Sequence, residues 1–474
     1  MDKFLFIPTR ILLKHLVPAF ILRQFHDDRL QGTLQAGTMF VDLSGFTPLT
    51  ESLMKDGSAG AEKLSDILNN IFGPMVELVH QQGGFIPYFA GDAFTAIFPE
   101  QDEENVNRLL HAACDIRNLF IKNNFELDEF KFGIKIGLSY GQVEWGIIGK
   151  EQKSYYFRGP GVEAAAESQI RASHQEIVLD QQLQNILPPH VHTSTLNKAG
   201  YFLLTDNKAP RPTNHTIPEL SLDIQELSSQ FLPDDVIQFI GKGEFRSVIS
   251  VFCSFDGVDN HDALNEFASI FIREIYRFAG YFKEVDFGDK GGVLVAIFGA
   301  PVSFENNIER ALEFADTLKS LLATFDGLKY RMGITSGQAF TGMVGGQHMS
   351  QFAAVGNRVN LAARLMTYAN WNEIYVDEEI AQHTGFQFKN KGQIRYKGIE
   401  GLIKTYELKA KSEKSDHIVF SGKLIGREKE LINLIAFVRK HQLAQRSGIC
   451  FLTGEAGIGK PEKRPPPKIK LKKE

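Results

Sequence analysis

An internal repeat constrains this chain more than any other feature. Ile134-Lys-Ile-Gly137-Leu-Ser-Tyr-Gly141-Gln142-Val-Glu-Trp-Gly146-Ile-Ile-Gly149 returns as Arg331-Met-Gly333-Ile-Thr-Ser-Gly337-Gln338-Ala-Phe-Thr-Gly342-Met-Val-Gly345, with the glycines and the glutamine in register. Upstream, Ala96-Ile97-Phe98-Pro99 answers Ala296-Ile297-Phe298-Gly299, and downstream Gly159-Pro-Gly-Val162 answers Gly356-Asn-Arg-Val359. The offsets are 200, 196 and 197, so two copies of one domain lie in tandem. A length of 474 residues leaves room for about three domains at roughly 150 residues each.

Each copy alternates strand and helix patterns. In the first, Thr38 to Leu43 reads as a strand and Ala61 to Gln81 as a helix, while Phe85 to Phe98 reads as a hairpin bent at Ala90-Gly91-Asp92. Val106 to Asn123 reads as a second helix, and Phe132 to Ile148 as a strand pair turning at Gly141-Gln142. The order βαββαβ predicts an α+β fold: two tandem ferredoxin-like domains, with helices on one face of each sheet, forming an intramolecular pseudo-dimer. The first domain is expected at 30–206, a linker at 207–243 that opens with the Pro-, Asn- and Thr-rich Asn207 to Pro218, and the second domain at 244–410. Residues 1–29 read as a helical segment whose apolar runs are interrupted by Arg10, Lys14, His15 and Arg23. Such a segment is too broken for a membrane span and fits an amphipathic helix packed on the first domain or lying at a membrane surface.

The last segment, 411–460, reads as the start of a phosphate-loop ATPase domain. Gly454-Glu-Ala-Gly-Ile-Gly459-Lys460 follows the apolar Ile449 to Thr453, but Pro461 stands where Ser or Thr should hold magnesium. Residues 461–474 carry six Lys or Arg among 14 and read as a non-native tail on a truncated domain. A net charge of −5 gives no reason to expect a nucleic-acid partner. Cys114, Cys253 and Cys450 are scattered without metal-ligand spacing, which fits a reducing cytoplasm.

Two carboxylates stand out in the first copy. Phe40-Val41-Asp42-Leu43-Ser44-Gly45-Phe46-Thr47 ends a strand on Asp42 and follows it with a turn whose backbone N–H groups suit phosphate. Taken alone, Asp42 also fits a helix cap, and Asp92 an ordinary hairpin aspartate. On adjacent strand ends, the pair suits two magnesium or manganese ions about 3.5–4 Å apart, the arrangement of in-line phosphoryl chemistry. The second copy lacks the pair: Cys253 is expected at the place of Asp42, and Gly292 at that of Asp92. It carries instead Val355-Gly-Asn-Arg-Val-Asn360-Leu-Ala-Ala-Arg364, with Asn360 and Arg364 one helical turn apart. Arg364 is suited to donate to a phosphate oxygen and Asn360 to hold a ribose oxygen. Glu163 and Glu167 occupy those places in the first copy and would repel a triphosphate. These complementary losses favour one composite site between the copies, with a degenerate pseudo-site opposite.

On these motifs the two halves, over about residues 30–408, resemble the tandem catalytic domains of class III nucleotidyl cyclases. The order cyclase, cyclase, incipient ATPase is most similar to the soluble adenylyl cyclases. The resemblance implies formation of 3′,5′-cyclic AMP and pyrophosphate from ATP, with Asp42, Asp92 and the Leu43 carbonyl holding two Mg2+ (or Mn2+). It further implies that Asn360 orients the ribose, that Arg364 meets charge at the α-phosphate, and that Lys397, in Tyr396-Lys397-Gly398, binds the triphosphate. At the base-reading positions the alignment puts Glu284, beside Lys283, and Ala353; an acceptor there resembles guanylyl cyclases, a lysine donor adenylyl cyclases. The pseudo-site arginine of the bicarbonate-activated group aligns with Ala166. A guanylate cyclase, an idle nucleotide-binding regulator and a polymerase-like palm are the alternative readings. The intact Asp42, Asp92, Asn360 and Arg364 weigh against the idle regulator, and the Asn-Arg pair against the palm. The expected partner is a nucleoside triphosphate, bound by a chain that works as a monomer.

Overall fold

The computed structural model describes residues 15–100, 104–123, 126–127, 130–196, 199–213, 224–238, 243–288, 291–325, 327–399, 401–412, 433 and 436–437. The phosphate-loop motif and the basic tail lie outside the described residues.

The first copy builds its sheet from β1 (Gln31–Ser44), β2 (Phe89–Ala90), β3 (Ala93–Pro99), β6 (Gly133–Ile148), β7 (Ser154–Arg158), β8 (Ile177–Asp180), β9 (Val191–Thr195) and β10 (Tyr201–Asn207); β4 (Glu126–Leu127) and β5 (Phe130–Lys131) form a separate small ribbon. The strand order is β2-β3-β1-β6-β8-β10-β9, with β7 on β6. Its first four strands have the order of a ferredoxin-like βαββαβ unit. The second copy repeats the scheme with β11 (Glu244–Asp256), β12 (Tyr281–Gly288), β13 (Gly291–Phe298), β14 (Lys329–Gly345), β15 (Ser350–Val355), β16 (Ile374–Asp377), β17 (Phe386–Ile394) and β18 (Ile403–Lys411), in the order β12-β13-β11-β14-β16-β18-β17 with β15 on β14.

Strand alternation decides which residues meet which layer. Met39, Val41 and Leu43 point into a core closed by helices Gly57–Gln81 and Asn105–Asn123, through Leu64, Leu68, Phe72, Leu109 and Ile116. Each buried side chain of this size contributes about 2 kcal/mol of apolar transfer. Thr38, Phe40 and Asp42 therefore face the opposite way. There the structure differs from the expectation of helices on one face, because helix Pro160–Arg171 lies across that second face. Gly137 permits this approach, since a Cβ there would collide with the Ala165 carbonyl and the Gln169 backbone nitrogen. The expected turn at Gly141-Gln142 is likewise absent. β6 runs on as one strand with Ala36 opposite Gly141 and Gln35 opposite Gln142, so its glycines serve packing rather than chain reversal. The N-terminal helix Ala19–His26 buries Ile21 and Leu22, with Val17, against Ala36, Ile97, Val143 and Trp145.

The two copies interlock by equivalent contacts. Phe340, Val344, Met349, Ala353 and Val355 of the second copy join the first copy's core, and Ile148 and Tyr156 of the first join the second's. Gly345 N donates to Asn69 Oδ1 at 3.2 Å, and its counterpart Gly149 N to Asn265 Oδ1 at 2.9 Å. Both bonds link residues related by the repeat, the arrangement expected of a pseudo-two-fold interface.

Candidate active site

Asp42 lies opposite Ala93 on β3 and Lys135 on β6, and Asp92 immediately precedes Ala93. Leu43 N donates to the Asp92 carbonyl at 3.0 Å, so the backbone ladder itself joins the two acidic positions. Gly91 takes φ +71°, the left-handed turn that brings the chain from β2 into β3. Both aspartates are half-buried. Gln169, from the helix on the second face, donates Nε2 to Asp42 Oδ2 at 3.0 Å. After Ser44, Gly45 at φ +96° lets helix Phe46–Met54 begin, so Phe46 and Thr47 occupy its first turn, where backbone N–H groups favour anions. Carboxylate and carbonyl oxygens are the donors that suit Mg2+ or Mn2+. Among the described residues no cluster of three or more His, Cys, Asp or Glu side chains competes for a metal.

The second copy brings its own helix to this place. Asn357–Tyr368 starts after Gly356 and carries Asn360 and Arg364, both half-buried, one turn apart. Asn357 Nδ2 donates to Glu51 Oε1 on the helix that follows Asp42, and the Met54 methyl packs against Gly356. Val355, at the end of β15, is buried in the first copy's core with Ala353. Lys397 is exposed beside buried Tyr396, whose hydroxyl meets Thr405 Oγ1 at 2.9 Å.

One expectation is corrected. The place of Asp42 in the second copy belongs to Ser254, not Cys253: Ser254 pairs with Val293 and Arg331, the repeat partners of Ala93 and Lys135. Cys253 sits where Val41 does, in the core, where burial pushes its thiol pKa up. A one-residue slip in a strand exchanges the faces. Lys283 and Glu284, at the expected base-reading positions, are buried against the first copy. Lys283 Nζ is 2.5 Å from Glu284 Oε2 and donates to the Phe89 carbonyl at 2.8 Å, while Glu284 accepts from Gln351 Nε2 at 2.9 Å.

On the pseudo-site side, Glu163 and Glu167 hold the helix positions of Asn360 and Arg364 and are exposed; Glu167 accepts from Tyr201 at 2.5 Å and pairs with Arg171 at 3.4 Å. Sequence reasoning missed Arg158, whose ladder position on β7 is that of Val355. Its guanidinium pairs with Glu144 at 2.9 Å, donates to the Asp259 and Val258 carbonyls at 2.8 and 3.4 Å, and lies by the Tyr156 and Phe287 rings. The signal was present in the repeat offset. Gln169 was missed too, although its counterpart is Met366, which packs on Val293 and Val295 where no acid needs a donor.

Residues 30–205 and 252–410 match the family described as the adenylate and guanylate cyclase catalytic domain. Human adenylate cyclase type 10 is 25% identical over an alignment covering 96% of this chain and 31% of the relative, and the mouse protein is 26% identical over 70% and 23%. The chain thus spans less than a third of the length of these curated relatives. A class III adenylyl cyclase-like ATP-binding protein from Pseudomonas aeruginosa, solved as a crystal structure, superposes with a TM-score of 0.54 over 75% of this chain and 86% of its own, at 12% identity, a likeness of fold. No helix among the described residues is long and apolar enough to cross a membrane. With both copies matched over most of the chain, this protein belongs to the adenylate and guanylate cyclase catalytic domain family.

Proposed function

We propose that the chain is an adenylate cyclase, converting ATP to 3′,5′-cyclic AMP and pyrophosphate at one composite site between its copies. The observation that carries the reading is the asymmetry of the strand ends, where Asp42 and Asp92 are joined by the ladder in one copy and Ser254 and Gly292 stand in the other. The adenylate cyclase type 10 relatives favour ATP over GTP.

Asp42, Asp92 and the Leu43 carbonyl would hold two Mg2+ (or Mn2+), which when bound supply Lewis acidity at the ribose 3′-hydroxyl and at the departing phosphates. The turn Ser44-Gly45 and the helix start at Phe46 and Thr47 offer N–H groups to the phosphate chain. Val355 forms a wall, Asn360 orients the ribose, and Lys397 takes the outer phosphates. The 3′-oxygen bonds to the α-phosphorus, the bond to the bridging oxygen of the β-phosphate breaks, pyrophosphate leaves, and the hydroxyl proton passes to solvent. Arg364 donates to the α-phosphate oxygens as their charge rises, a contribution of about a thousandfold or more in related chemistry. Incubation of the purified chain with equal ATP and GTP plus Mg2+ or Mn2+, read by mass spectrometry, should yield cyclic AMP. Cyclic GMP as the main product would move the reading to a guanylate cyclase, and no product from either would move it to an idle nucleotide-binding module.

A further inference from the structure

Copy 1 holds Asp92 on a weak element. β2 is only two residues long and lies at the sheet edge, with β3 on one side and, among the described residues, no strand on the other. Its counterpart β12 has eight residues and supports its own hairpin. Second-copy side chains fill the gap. Phe89 N donates to Gln351 Oε1 at 2.7 Å, and Lys283 Nζ donates to Phe89 O at 2.8 Å, so both polar groups facing outward from this residue are captured. Glu284 closes the ring by accepting from Gln351 Nε2 at 2.9 Å and pairing with Lys283 at 2.5 Å. The Lys283 and Glu284 side chains are only 6% and 7% exposed. A buried ion pair is poor value as a source of stability, because desolvation offsets the attraction, but a satisfied buried network fixes geometry. Phe89 is itself immobilised, its ring packed on Phe72 and Phe94. Two residues, Ala90 and Gly91, separate it from Asp92, and Ala90 pairs with Ala93 to close the hairpin.

We propose that Lys283 and Gln351 are positioning residues that act through the Phe89 backbone to set Asp92, so that the seating of one copy on the other decides how well the metal ligands are aligned. This rests on the reading of Asp92 as a metal ligand.

The test uses the full chain with Gln351→Leu, Lys283→Met and Lys283→Arg. Amide hydrogen exchange across 85–93 should quicken about tenfold in the first two, as expected for loss of a buried hydrogen bond, with helix Asn307–Leu322 unchanged as a control for folding. The Mg2+ concentration for half-maximal rate should rise and kcat should fall about tenfold or more, while the nucleotide KM moves by less than about threefold. Lys283→Arg, which keeps a donor, should restore most of both. Wild-type exchange and wild-type Mg2+ dependence in Gln351→Leu would overturn the inference. If Lys283→Met loses protection in the control helix as well, Gln351→Leu decides alone, because it leaves the Lys283–Glu284 pair in place. Full turnover in Asp92→Ala would instead sink the underlying metal-ligand reading, which separates the two failures.

Discussion

The two copies share a sheet order, an interface and a helix that starts at an equivalent glycine, yet they differ at nearly every position that could touch a nucleotide. Asp42 answers to Ser254, Asp92 to Gly292, Gln169 to Met366, Glu163 and Glu167 to Asn360 and Arg364, and Arg158 to Val355. The fold needs none of these identities. Gly137 and Gly333, by contrast, are the same in both, because in each copy a helix lies against the strand and leaves no room for a Cβ. The difference separates what the scaffold demands from what the chemistry demands. It also sets the acidic strand end of the first copy apart from Arg158, which is tied to Glu144 and to the Val258 and Asp259 carbonyls.

The comparison breaks most readily at its acidic and basic ends. Asp92→Ala and Arg364→Ala should each lower cyclic AMP production by about a thousandfold or more, measured at saturating Mg2+ and ATP. Next in size is a prediction about shared architecture. Asp180 and Asp377 end equivalent strands and cap equivalent short helices, accepting from Leu183 N at 2.9 Å and Ile380 N at 3.1 Å. Burial raises both carboxyl pKa values, and for Asp377 it does so to about 6, despite its bonds to Ile380 and Ser336 N–H and its pairing with Arg358. The folded state therefore keeps the Asp377 proton in a window where the unfolded chain, with a pKa of about 3.9, has lost it. This contribution to stability is fully present below about pH 4 and is lost as pH rises through about 6, by at most about 3 kcal/mol. Asp377→Asn keeps a capping oxygen and should flatten that slope in urea unfolding between pH 4 and 7.

A smaller effect sharpens the metal half of the comparison. Gln169→Met installs the residue of the second copy and removes the 3.0 Å bond to Asp42. Turnover should fall about tenfold with a raised Mg2+ requirement, and an unchanged rate would make that bond incidental. The smallest effect belongs to Arg158. Arg158→Ala should lower the melting temperature by about 3 °C while changing turnover by less than about twofold, and a nonhydrolysable ATP analogue should still titrate one site per chain by calorimetry. A second nucleotide bound by the wild-type chain would show that Arg158 does not close the pseudo-site.

Much of this was legible in the sequence, because the repeat carries its own alignment. Glycine spacing placed the helix Asn357–Tyr368 against Pro160–Arg171, and with it Asn360 and Arg364 against Glu163 and Glu167. Strand register was harder, since β11 is apolar at Val251, Phe252 and Cys253 and gives no alternation to fix its faces; only the ladder shows that Ser254 stands at the acidic position. Lys283 and Glu284 were assigned to base reading through the resemblance to cyclases, and their surroundings in this chain were not legible. Their partners Phe89 and Gln351 are 194 and 67 residues away and cannot be found by local spacing. Gln169 was hidden for the same reason, facing Asp42 across 127 residues of chain.

The central claim is a division of labour, with metal-dependent nucleotide binding set by the first copy and turnover by the second. One measurement tests it most directly: Mn2+-dependent affinity for a nonhydrolysable ATP analogue, paired with single-turnover cyclic AMP formation, in wild type, Asp92→Ala and Arg364→Ala. Arg364→Ala should keep affinity within about threefold of wild type while losing about a thousandfold in rate, whereas Asp92→Ala should lose the Mn2+-dependent part of binding as well. Equal loss of affinity in both variants, or wild-type turnover in either, would contradict a composite site.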